Sequence, residues 1–268
     1  MDRNPGAMTN VQPTLVQSLA NPTRFMALSG AVLPWLSALA AVVVAYGLYL
    51  GLAASPADYQ QGETVRIMYL HVPAAWLAMG GYTLTAISSF GLLVFRHPLA
   101  DVSAKSAAPI GAAFTFLALV TGSLWGKPTW GTFWIWDARL TSVLILFFLY
   151  IGLIALRSSI DDETQAAKLT AILALVGIVI LPVIKFSVDW WNTLHQPASI
   201  MRTGGPAIHP TILKPLLVNA IGYSLVFLAM HMKAMRNEIM RRRVKAMRMI
   251  EVERAQGMAA RTAGAAAE

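Results

Sequence analysis

Six blocks of apolar residues dominate this chain and leave it few ways to fold. They lie near 31–54, 73–95, 107–125, 138–156, 169–187 and 213–235. About 20 apolar residues in helical form match the hydrocarbon core of a bilayer. A backbone in hydrocarbon must also satisfy its own hydrogen bonds. The expectation is an all-α polytopic membrane protein, a bundle of six transmembrane helices. The charged fraction agrees, at 13% of 268 residues against about 25% in a soluble domain. A water-soluble globule and a disordered chain are both excluded. With no cysteine, disulfide, zinc–thiolate and iron–sulfur chemistry are excluded too.

Charge orients the bundle. Arg3, Arg24, Arg96, Lys105, Arg157, Lys168 and the nine basic residues of 233–268 would share one side, fifteen against six on the other. By the positive-inside rule the N- and C-termini are expected in the cytoplasm. The chain divides accordingly into a cytoplasmic segment 1–30, a membrane domain 31–235 and a basic cytoplasmic tail 236–268. The net charge of +8 follows a hydrophobic segment directly, so an anionic lipid surface is the expected partner and nucleic acid is not. A signal peptide has an apolar core of about 7–15 residues. The first block is longer, so it reads as a span despite the small residues Ala53-Ala54-Ser55. The inner loops 96–106 and 157–168 read as polar connectors.

The outer side holds the unusual residues. Between 125 and 139, Gly126, Pro128 and Gly131 suggest a non-helical loop, and Trp125, Trp130, Phe133, Trp134 and Trp136 fall within twelve residues. Such a cluster is either an aromatic belt at the headgroups or a platform for a large planar ligand. Asp137, just before the fourth block, reads as a helix cap. Arg139 in that helix's first turn opposes the helix dipole and suits an anion better. Of five histidines, His97 and His231 read as solvated or interfacial. His71 and His195 stand at outer span ends, His195 just after Trp190 and Trp191, and could hold a haem iron axially. Arg66 and Arg139 would then face its propionates. No tightly spaced metal motif is present, and the 122–128 stretch lacks the spacing of a phosphate-binding loop.

Three separated motifs carry a resemblance. They are Trp130-Gly131-Thr132-Phe133-Trp134-Ile135-Trp136-Asp137 with its continuation to Ser142, Met68-Tyr69-Leu70-His71-Val72-Pro73, and Trp190-Trp191-Asn192-Thr193-Leu194-His195-Gln196. Together they resemble the tryptophan-rich haem-handling proteins of cytochrome c biogenesis, and within them the CcmC, or haem exporter protein C, family. The resemblance implies a bacterial inner-membrane protein that binds haem b at its periplasmic face. It would present that haem to the chaperone CcmE within an ABC-type complex with the ATPase CcmA, the permease CcmB and the small subunit CcmD, without catalysis of its own. It also implies roles for residues: His71 and His195 as axial ligands, Trp125, Trp130, Trp134, Trp136 and Asp137 as the haem platform, and Arg66 and Arg139 near the propionates. Trp190 and Trp191 are further candidates, and His209 matches no motif. Two alternatives stand beside this reading. One is a bis-histidine membrane cytochrome, which the position of both histidines at outer span ends disfavours. The other is a solute transporter, hinted at by Pro182, Lys185 and Asn219 near mid-span.

Overall fold

A computed structural model describes residues 21–265 except 198 and 201; residues 1–20 of the expected N-terminal segment lie outside the described residues. The elements are α1 (Pro22–Leu48), extended by a π-helical turn (Tyr49–Ala54), a 3-10 turn (Glu63–Ile67), α2 (Met68–Phe95), α3 (Pro98–Trp130), α4 (Ala138–Ser158), α5 (Glu163–Gly177), α6 (Ile180–Trp190) and α7 (Pro210–Ala265). Among the described residues, six helical segments are long and apolar enough to cross a membrane. The protein is an all-helical, multi-pass membrane protein.

Each helix outruns its apolar block. The residues expected in the inner connector 96–106 lie almost wholly in α3, which starts at Pro98. Charge is admitted at these ends because it is paired. The Asp101 carboxylate takes the Arg157 guanidinium in a two-pronged contact at 2.6 and 2.9 Å and also meets Arg242. Glu238 gathers Lys105, Arg241 and Arg242 at 2.8–2.9 Å. These pairs tie α3 and α4 to the part of α7 beyond residue 235. That stretch continues the helix of the sixth span without a break. Span five is interrupted between α5 and α6 at Ile178–Val179. Pro182 supplies the reason: its ring conflicts with the carbonyl four residues back, at Ile178, which instead accepts the Leu181 N–H at 3.0 Å.

α2 and α3 pack against each other through the centre; α7 covers one side with α1 outside it, and α4 and α5 lie on the other. Small residues allow the close approaches. A Cβ at Gly111 would sit 2.1 Å from the Tyr150 hydroxyl, which donates to Ala78 O at 2.8 Å. Asn219, one of the polar hints of a transporter, is fully buried and gives its amide to Gly47 O and Pro215 O at 2.7 and 2.9 Å. It fastens α7 to α1. His231 corrects an expectation: it is not solvated but buried, stacked on Phe227 and bonded to Ser103 Oγ at 3.2 Å. Membership of a helix–helix interface, which apolar run lengths do not encode, decides its environment.

Candidate functional site

The ends of α2, α3, α4 and α6 nearest the tryptophan segment, with residues 56–61, 194–197, 199–200, 207–209 and 211–212, enclose a cavity of about 880 Å³. Ligand pockets run to roughly 300–1,000 Å³, so this one suits a large ligand. Among the described residues no three His, Cys, Asp or Glu side chains gather as a metal site. The cavity offers two imidazoles instead.

His71 and His195 both line it. His71 lies in the first turn of α2, its ring against Gly122 of α3, where a Cβ would come within 2.9 Å of His71 Cε1. Its Nδ1 lies 3.0 Å from Ala118 O and 3.1 Å from Thr121 Oγ1. A carbonyl oxygen only accepts, so Nδ1 carries the hydrogen and Nε2 the lone pair. His195 reaches the same state by a different route. Its Nδ1 donates to Asp137 Oδ2 at 3.0 Å, a contact that fixes the tautomer and raises ligand basicity. Burial pushes His195 below its ordinary value; Asp137 pulls it back up and Arg139 opposes that. The imidazole is therefore neutral at pH 7, as a ligand must be.

Asp137 has two partners. Its Oδ1 accepts the Leu140 N–H at 2.8 Å, the expected cap of α4, while Oδ2 holds His195. The tryptophan segment differs from the expected loop, because α3 stays helical through Gly126 and Pro128 to Trp130 and ends at Gly131 with φ 78°. Glycine accepts the left-handed terminus without strain. Helical geometry then sets each indole against a histidine. Trp125 meets the His71 ring edge-on at 5.7 Å and Trp130 meets His195 at 4.8 Å. Trp125 Nε1 also donates to Gln61 Oε1 at 2.8 Å.

The aromatics divide between the two readings left open by sequence. Trp125, Trp130 and Trp134 line the cavity. Trp136 is 75% exposed and crosses Trp134 at 78°, so the two do not make one flat surface. Trp190 stacks on Phe186; it and Trp191 are exposed, outside the cavity wall, in the manner of a belt. The arginines divide as well. Arg139 lines the cavity while donating to Ser187 Oγ at 3.0 Å and to the Ile184 and Lys185 carbonyls, which anchors α4 to α6. Arg66 is not part of the cavity wall. It pairs with Glu63 and donates to Leu52 O at 2.7 Å, capping carbonyls where the π-helical turn ends. Sequence reasoning passed over Gly122, Thr121 and Gln61, and gave His209 no role. His209, which matched no motif, lines the cavity too.

The chain matches the family model described as Heme exporter protein C over residues 15–250. It is similar to Heme exporter protein C of Bradyrhizobium diazoefficiens, 61% identical over 236 residues, covering 88% of this chain and 89% of that one. Its counterpart from Escherichia coli K12 is 47% identical over 84% of this chain and 91% of its own length. The Paracoccus denitrificans protein of that name is 44% identical over 85% and 95%.

Proposed function

The chain belongs to the Heme exporter protein C family, and from that membership we propose that it binds haem b in the outer cavity, with His71 and His195 as axial ligands. One observation carries the reading. Two histidines far apart in sequence enter a single cavity, each with Nδ1–H fixed by an acceptor and Nε2 left to coordinate. Haem supplies an iron that takes a nitrogen ligand on each face. The protein supplies the rest. Ala118, Thr121 and Asp137 orient the rings, Trp125 and Trp130 buttress them, Trp134 contributes apolar wall, and Arg139 is placed for a propionate.

The haem is presented to the chaperone CcmE, and Trp136, Trp190 and Trp191 are among the exposed aromatics available to that partner. Energy comes from CcmA and CcmB, with CcmD completing the ABC-type complex, since this chain has no phosphate-binding loop. The excess of basic residues on the opposite side supports a bacterial inner-membrane location with the cavity facing the periplasm. No residue is assigned a catalytic role. Absorption spectroscopy of the purified full chain tests the reading. Wild type should show a six-coordinate low-spin spectrum that His71→Ala and His195→Ala each lose. Wild-type spectra in both variants would overturn the axial assignment.

A further inference from the structure

The cavity contains a third histidine that iron ligation does not use. His209 precedes α7, and its Nδ1 accepts the Thr211 backbone N–H at 3.4 Å beside a 2.8 Å contact with Thr211 Oγ1. A backbone amide only donates, so the neutral ring carries its hydrogen on Nε2. This is the reverse of His71 and His195, and it leaves the free edge of His209 a donor, unsuited to a metal. Lys185 of α6 lines the same cavity, and none of the ion pairs among the described residues includes it. Of the two acidic groups in the cavity wall, Asp58 accepts the Gln60 and Gln61 amides at 2.9 Å, and Asp189 stands about one helical turn from Lys185 on α6, in no ion pair among the described residues.

A cation in no ion pair among the described residues and an N–H donor, both on the cavity wall, are complementary to an anion. We propose that Lys185 and His209 form a carboxylate-binding edge of the cavity, which recognises the anionic side chains of a porphyrin ligand while His71 and His195 face its metal. This rests on the haem reading above. It assigns to Lys185 and His209 the contact that sequence alone gave to Arg66.

The test compares haemin with its dimethyl ester, which keeps ring and iron but has no carboxylate, by titration of the full chain in detergent. Lys185→Met removes the charge, and His209→Asn removes the Nε2 donor yet keeps an acceptor able to cap α7. Each should weaken haemin binding about tenfold, as expected for one lost charge-assisted hydrogen bond, and leave the ester's affinity unchanged. An intact ester spectrum shows that the variant's site has folded; Lys185→Gln and His209→Gln serve if either first variant does not. Equal weakening of both ligands, or of neither, overturns the proposal. The axial reading is judged separately by the His71→Ala and His195→Ala spectra, so failure of one is not failure of the other.

Discussion

Replacing Asp137 with asparagine should uncouple helix capping from ligand orientation. In the native site Oδ1 caps α4 through Leu140 at 2.8 Å, and Oδ2 accepts from His195 Nδ1 at 3.0 Å. Asparagine keeps a single oxygen. If that oxygen stays on the cap, the amide NH₂ faces His195 and can only donate. The imidazole must then move its hydrogen to Nε2 to accept, and that tautomer cannot ligate iron. Loss of such an orienting partner costs about 10–100-fold in metal affinity. Stability should change by less than about 0.5 kcal/mol, because asparagine caps nearly as well as aspartate. Asp137→Ala loses both contacts, so it should match the haem defect and add about 1 kcal/mol of destabilisation. Haemin titration and thermal melting followed by circular dichroism, in one detergent, separate the two effects. Wild-type haem affinity in Asp137→Asn would refute the orientation argument and leave Asp137 a cap alone.

Trp130→Ala should weaken haem binding about fivefold, as the aromatic contact with His195 is worth about 1 kcal/mol. Trp136→Ala, at an exposed position outside the cavity wall, should leave haem titrations of the isolated chain unchanged. Gly122→Ala places a methyl 2.9 Å from His71; the ring must shift, and overpacking of about 1–3 kcal/mol should appear as altered ligation with near-native helix content by circular dichroism. Because the folded-state value of His195 is lowered, folded protein takes up its proton less readily than unfolded chain. Its contribution to stability is therefore unaffected above pH about 6.5 and falls on acidification below it. Ligand-free protein compared with His195→Gln by melting temperature should diverge only on the acid side; divergence above neutrality would refute the sign.

Much of the fold was legible in short stretches of chain. Asp137 as a cap follows from a carboxylate standing before an apolar run, and the structure confirms it. The helical course of 125–130 was not legible, because Gly126 and Pro128 weaken a helix locally while packing in a helix end sustains it. The outer His71 and His195 were flagged by residue type and position. Their partners were not, since Ala118 offers only a backbone carbonyl and Gly122 only the absence of a side chain. The partners of Arg66 were not legible either: its guanidinium pairs with Glu63 and donates to the Leu52 carbonyl at the end of the π-helical turn.

Hydrophobic run length and the distribution of lysine and arginine were enough to establish six helical spans and their expected orientation. Both act residue by residue against the bilayer, so no knowledge of neighbours is needed. Which imidazole nitrogen stays free, which indole supports it and which cation keeps an open charge depend on contacts between distant segments. Those contacts exist only once the helices have packed. His71, His195 and His209 are chemically one residue type, and the acceptor or donor beside each Nδ1 leaves the first two with an Nε2 lone pair and the third with an Nε2–H.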